Sequence, residues 1–129
     1  MTGIVLVVDD EFGIAELIDA VLTDEGHRVL TAINGRQGLA MMAKERPDLV
    51  FLDYMMPVMD GAEVLSAMAG DPSVAKVPVV LMSSMPEATV AERCSGYTAF
   101  MRKPFKIAQV VTLTVKLLNR DGPDGQGAL

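Results

Sequence analysis

Five short apolar runs, separated by helix-like patterns, constrain this chain more than any other feature. They fall at about 3–8, 28–32, 48–52, 77–82 and 98–101. The first, third and fourth are nearly continuous in Val, Ile, Leu, Phe and Met, as strands covered on both faces should be. Between the runs, Ile14, Leu17, Ile18, Val21 and Leu22 take the i, i+3, i+4, i+7, i+8 spacing of one buried helix face. Leu39, Met42 and Ala43 do so more briefly after Asn34-Gly35, and Val64, Leu65 and Met68 after Asp60-Gly61. Ile107, Val110, Val111, Thr114, Leu117 and Leu118 form the last face. Five strands alternating with five helices predict an α/β fold built on an open parallel sheet.

The fourth helix, roughly 86–94, has the thinnest pattern. Pro86 suits its first turn, with Ser84 as a cap, and Ala88, Val90 and Ala91 are its buried candidates. Cys94-Ser95-Gly96 ends it early, so a short or mobile helix is expected. The chain has 129 residues, enough for one domain with a real core. That domain is expected over 1–119. The Gly-rich stretch 120–129 reads as a flexible tail.

The charged residues fall where the strands should end. Asp9, Asp10 and Glu11 follow the first apolar run, Asp53 follows the third, and Lys103 follows the fifth and precedes Pro104. Parallel sheets open their ligand crevice at the carboxyl ends of the strands, so these residues are expected in one pocket. Clustered carboxylates repel one another and invite a hard divalent cation such as Mg²⁺, and a lysine beside them invites an anion. Together they suggest a phosphoryl group meeting a metal and a carboxylate nucleophile.

Several function classes are disfavoured. A net charge of −6 argues against non-specific nucleic-acid binding by this chain alone. With one cysteine, Cys94, no internal disulfide can form, and a reduced, cytoplasmic thiol is expected. The amino-terminal apolar stretch is short and lacks a basic flank, which argues against a secretory signal. No run approaches the roughly 20 apolar residues of a membrane span. The single histidine, His27, lies in a turn-like Glu25-Gly26-His27-Arg28 and reads as structural or solvated. Of ten methionines, Met42, Met68, Met82 and Met101 fit core gap-filling, while Met55, Met56 and Met59 belong to the loop after Asp53.

Four segments carry a resemblance. They are Val7-Val8-Asp9-Asp10-Glu11, the run from Leu52-Asp53 through Met56-Pro57 to Asp60-Gly61, Pro78 to Ser83-Ser84, and Phe100-Met101-Arg102-Lys103-Pro104-Phe105. In this order and spacing the chain resembles the receiver domain of bacterial two-component response regulators, of the stand-alone, chemotaxis-regulator-like type. The resemblance covers about 3–119 and implies the flavodoxin-like sheet order 2-1-3-4-5.

It also implies roles. Asp53 would be the phosphoacceptor. Asp10 would ligate Mg²⁺ directly, with Mn²⁺ able to substitute. Asp53 and the backbone carbonyl of Met55 would also ligate the metal, and Asp9 would hold a metal-bound water. Lys103 would pair with a phosphoryl oxygen, and the Lys103-Pro104 bond is usually cis in the family. Ser83 would hydrogen-bond the attached phosphoryl group, and Phe100 would follow it inward as the aromatic switch. Local backbone capping is the bland alternative for Ser83 and Ser84, and an ordinary core aromatic for Phe100. Glu11 either tunes the pocket's charge or is a first-turn helix acid. Met55 and Ser84 would border the pocket and affect access to it.

Implied partners are a histidine kinase or histidine phosphotransfer protein and an unidentified downstream protein, with the chain a monomer or weak dimer. Such a domain catalyses its own phosphorylation and slow dephosphorylation without being a turnover enzyme. The alternatives are a phosphate sink for a shared kinase, or a receiver module of a longer transcriptional regulator. A phospho-aspartate phosphatase is a poor fit, because Asp53 is followed by Tyr54-Met55 and not by a second aspartate two residues on. The interval from Ser83 to Lys103 is short for the family, so dimerisation through the fourth and fifth helices is not expected to carry over. Leu113 and Val115 lie off the expected buried face of the last helix, where they would form an apolar contact surface.

Overall fold

The protein's structure, a computed structural model, describes residues 2–119. The expected tail at 120–129 lies outside the described residues. Strands and helices alternate as β1 (Ile4–Val8), α1 (Phe12–Asp24), β2 (Arg28–Ala32), α2 (Gly35–Glu45), β3 (Leu49–Asp53), α3 (Gly61–Ala69), β4 (Val79–Ser83), α4 (Glu87–Ala91), β5 (Ala99–Arg102) and α5 (Ile107–Asn119). All strand pairs are parallel, and the sheet order is β2-β1-β3-β4-β5. This is the flavodoxin-like arrangement, with its change of winding direction between β1 and β3.

Burial explains the apolar runs. Every residue of β3 and β4 is buried, as are the last four of β1, because helices cover both faces of the sheet. One core joins Leu6, Val8, Val50, Leu52 and Leu81 to Met42 of α2, Val64 and Met68 of α3 and Val90 of α4. The other joins Val5, Val7, Phe51, Val80 and Met82 to Ile18 and Leu22 of α1 and Val110 and Leu117 of α5. Met42, Met68, Met82 and Met101 are core residues as expected, each at most 3 % exposed.

The helix starts follow local chemistry. Asn34 caps α2, its side chain accepting the Gln37 N–H at 2.8 Å. Asp60 and Glu63 form a reciprocal capping box at α3, with bonds of 2.9 and 3.0 Å, a device that satisfies two amides the helix leaves free.

Several expected faces are corrected. Leu17 and Ile107 are exposed, and so is Ala43. In α1 the narrow contact stripe takes Ala15 in place of Leu17. In α2, Gly35 and Gly38 are buried; a Cβ on Gly38 would stand 2.9 Å from Val8 Cγ2, so the helix backbone packs directly on the sheet there. In α5, Val111 is only half-buried, whereas Leu113 is half-buried against the second core and not free on the surface. Val115 is exposed, as its position off the buried face implied.

The fourth helix has five residues and buries only Val90, while Ala88 and Ala91 face solvent. Its cap is Pro86, in extended geometry with no side-chain bond, so Ser84 does not cap it. The helix is held at its edge by the Tyr97 hydroxyl, which donates to Glu87 Oε2 at 3.0 Å. His27 is buried; its Nδ1 accepts the Gly3 N–H at 3.2 Å, and burial lowers its pKa. Its role is structural.

Candidate functional site

Backbone bonds carry the sheet one residue past the strands and so place the charged groups. The Asp9 N–H donates to Ala32 O at 3.0 Å, continuing β1 beyond Val8, and the Lys103 N–H donates to Ser83 O at 2.8 Å, continuing β5. Asp53 ends β3 opposite Met82. Three strands therefore deliver Asp9, Asp53 and Lys103 to one rim.

The Lys103 Nζ donates to Asp9 Oδ2 at 3.0 Å and to Glu11 Oε1 at 2.8 Å, and lies 3.3 Å from Asp53 Oδ1. Asp9 is 1 % and Asp53 4 % exposed, while Asp10 and Glu11 face solvent. Asp9 Oδ1 accepts the Glu11 N–H at 2.8 Å, which fixes the turn into α1 in the manner of an Asx-turn. Glu11 is the N-cap residue of α1 but makes no side-chain capping bond. Its carboxylate goes to Lys103 instead, which favours the pocket-charge reading over the helix-acid one.

These neighbours perturb one another. Burial, then the charge of Asp9, pushes the Asp53 carboxyl up to about 7 against the pull of Lys103. Burial works against the Lys103 ammonium, but hydrogen bonds to Glu11 and Asp9 and the charge of Asp53 outweigh it and hold the lysine above its ordinary value.

Asp9, Asp10 and Asp53 can each offer a carboxylate oxygen, all within 4.8 Å of one another. A compact set of hard oxygen donors suits a hard divalent cation. The cluster opens into a cavity of about 400 Å³ lined by Glu11, Ile14, Asp53, Met55, Ser83, Ser84, Lys103 and Pro104. Met55 is 64 % exposed at its edge. The Lys103-Pro104 bond is cis.

Of the expected site residues, Asp9, Asp10, Glu11, Asp53, Met55, Ser83, Ser84 and Lys103 come together here. Ser83 is buried, and its Oγ accepts the Met85 N–H at 3.0 Å, the local capping contact that sequence alone left open. Phe100 does not reach the pocket. It pairs with Leu81 in the sheet, its ring centre is 6.3 Å from that of Tyr97, and it lines a separate groove with Ala108, Gln109, Thr112 and Leu113. Ile14 and Gly61 were missed. Ile14 stands one turn beyond Asp10, a spacing that signals a pocket wall. Gly61 packs on the Asp53 backbone, and only its Asp60-Gly61 helix-start signal was visible.

Comparison with known proteins agrees with this fold. The family model for the response regulator receiver domain matches residues 5–115. The probable transcriptional regulatory protein TcrX of Mycobacterium tuberculosis is 38% identical over 92% of this chain, and the chain spans about half (50%) of its length. Sporulation initiation phosphotransferase F of Bacillus subtilis is 35% identical over 88% of this chain and 92% of its own length. Among solved structures, the chemotaxis protein CheY4 of Vibrio cholerae superposes with a TM-score of 0.82 at 29% identity, over 91% of this chain and 99% of its own. NtrX of Brucella abortus gives 0.84 at 30% identity, over 98% of this chain and 29% of its own. Among the described residues no helix is long and apolar enough to cross a membrane.

Proposed function

The chain belongs to the response regulator receiver domain family of two-component systems, and on that premise we propose that it accepts a phosphoryl group on Asp53 and passes the signal on by changing its affinity for a partner. The observation that carries this reading is Lys103 bonded to Asp9 and Glu11 and 3.3 Å from Asp53, with Asp9, Asp10 and Asp53 offering oxygens within 4.8 Å of one another and Asp53 and Lys103 lining one cavity.

The donor is a phosphohistidine on a histidine kinase or phosphotransfer protein. An Asp53 carboxylate oxygen attacks phosphorus, the new O–P bond forms as the donor's P–N bond breaks, and the imidazole nitrogen leaves with that electron pair. Asp10, Asp53 and the Met55 carbonyl would hold Mg²⁺, or Mn²⁺ in its place, and Asp9 would hold it through a water. When bound, the ion neutralises charge on the phosphoryl oxygens. Asp53 attacks only as the carboxylate. With its pKa pushed up to about 7, it reacts best once its proton has been drawn off by cationic neighbours. The pull of Lys103 is already part of that balance, so the further positive charge would come from the bound cation, while Lys103 is in place to meet a phosphoryl oxygen.

Ser83 lines the same cavity, and its hydroxyl hydrogen would donate to a phosphoryl oxygen. Movement of Ser83 would loosen its contact with the Met85 amide and shift the β4–α4 connection. Phe100, on the neighbouring strand and half-buried, would take up the vacated space. With only Val90 buried, α4 offers little resistance to such a shift.

Intact mass after incubation with Mg²⁺ and a small acyl-phosphate donor tests the proposal. Wild type should gain about 80 Da, one phosphoryl group, and Asp53→Asn should gain nothing. A wild type that stays folded, binds Mg²⁺ and gains no mass from either the small donor or a phosphorylated kinase would refute it.

A further inference from the structure

Apart from Met1, which lies outside the described residues, the methionines sort sharply by exposure. Met42, Met68, Met82 and Met101 are buried, and Met41, Met56, Met59 and Met85 are half-buried. Met55 alone among the described methionines is strongly exposed, at 64 %. It also lines two cavities at once: the one holding Asp53 and Lys103, and an adjoining groove of about 460 Å³ that includes Tyr54, Met56, Met85 and Arg93. Thioether oxidation follows access to solvent, so the described methionine most open to a dissolved oxidant borders the pocket.

We infer that Met55 is a site of reversible oxidation by peroxide, and that its sulfoxide shortens the life of the phosphoryl group on Asp53. The inference rests on the proposed role of Asp53. In the reaction the sulfur lone pair attacks one oxygen of hydrogen peroxide and the O–O bond breaks. The sulfur is oxidised to the sulfoxide, and the other oxygen takes up the first oxygen's proton and leaves as water. The product replaces an apolar wall of the cavity mouth with a polar, strongly accepting oxygen. Water hydrogen-bonded to that oxygen stands at the opening of the cavity that contains Asp53, where hydrolysis needs it.

Cys94 is the competing sulfur, and it is a poor competitor. It is half-buried, its thiol donates to Val90 O at 3.6 Å, and burial pushes its pKa up, so little reactive thiolate is present.

The test uses the full chain with Cys94→Ser, treated with dilute hydrogen peroxide, alongside the same chain carrying Met55→Leu as well. Peptide mapping should place the first added oxygen, about 16 Da, on Met55. Each protein is then phosphorylated with a small acyl phosphate and Mg²⁺, and loss of the phosphoryl mass is timed against its own untreated sample. Peroxide should shorten the half-life about threefold or more while the Met55 thioether is present, and should leave it unchanged in the Met55→Leu protein. Methionine sulfoxide reductase should restore the original value. Equal oxidation of Met56, Met59 or Met85, an unchanged half-life, or the same shortening in Met55→Leu would overturn the inference. Absence of any phosphoryl gain before peroxide, from the small donor and from a phosphorylated kinase alike, would instead overturn the role of Asp53, and the sulfoxide's effect on it as well.

Discussion

Gly61 rests directly on the backbone of Asp53: a Cβ on Gly61 would stand 2.9 Å from the Asp53 carbonyl oxygen and 2.9 Å from the Tyr54 Cα. The Gly61 N–H also donates to Tyr54 O at 2.8 Å. The start of α3 is thus pressed against the end of β3, and that contact helps fix the direction of the Asp53 carboxyl. Gly61→Ala should move this backbone, costing about 1–3 kcal/mol of stability and slowing phosphoryl gain on Asp53. Urea unfolding and timed mass measurements check both. A fully active, equally stable variant would mean the contact relaxes without moving the carboxyl.

Asp53 should make stability depend on pH. In the unfolded chain its carboxyl loses its proton near the ordinary 3.8, but in the folded chain it keeps it up to about 7. Between these values the native state binds the extra proton, so stability falls as pH rises through the window. Asp53→Asn removes that loss while leaving Lys103 its bonds to Asp9 and Glu11. The variant should match wild type near pH 4 and exceed it at pH 8 by on the order of 2–4 kcal/mol without divalent cations. Denaturant midpoints across pH measure the difference; a gain largest at low pH would contradict the assignment.

Lys103 is the internal counter-charge of the acid cluster. Lys103→Met leaves Asp9 and Asp53 buried without it, a loss of about 3–5 kcal/mol. Mg²⁺ should recover part of that loss, so the rise in melting temperature on adding Mg²⁺ should be larger in the variant than in wild type. Thermal melts with and without the cation make the comparison.

Asp10 is exposed and makes no structural contact of the kind Asp9 makes with the Glu11 amide. Asp10→Asn should therefore weaken divalent-cation binding about tenfold or more with little change in folding. Mn²⁺ titration followed by electron paramagnetic resonance reads the affinity directly. Unchanged affinity would remove Asp10 from the ligand set.

Val58 has φ 72 and is 70 % exposed, with the Met59 N–H bonded to Pro57 O at 2.8 Å across it. A β-branched residue is strained in this region. Val58→Gly relieves about 1–2 kcal/mol and loses about 0.5–1 kcal/mol through added freedom in the unfolded chain. A net stabilisation of about 0.5–1 kcal/mol should appear in urea unfolding.

The strand order and the acid pocket were readable because each depends on residues that sit beside one another in sequence. A run of Val, Ile and Leu followed by Asp names both a buried strand and what stands at its end. The helix faces were harder. Gly35 and Gly38 contribute no hydrophobic signal, yet they are buried positions of α2. Leu17 is strongly apolar and still faces solvent, because the contact stripe of α1 is narrower than its apolar pattern. The pairing of Lys103 with Glu11 joins residues 92 apart, a distance no local pattern reports, so the two readings of Glu11 stood level until the structure placed its carboxylate.

Gly3, just before β1, lies against the end of α5: a Cβ there would be 3.4 Å from Leu118 Cδ2. The first and last elements thus meet at the sheet edge from which the strands set out, while Asp53 and Lys103 lie at the edge where they finish. A fluorescent label, an immobilising tether or a fused partner joined near either of these elements would hang away from the cavity mouth. Such attachments would report on the protein or hold it in place without obstructing the approach of a phosphoryl donor.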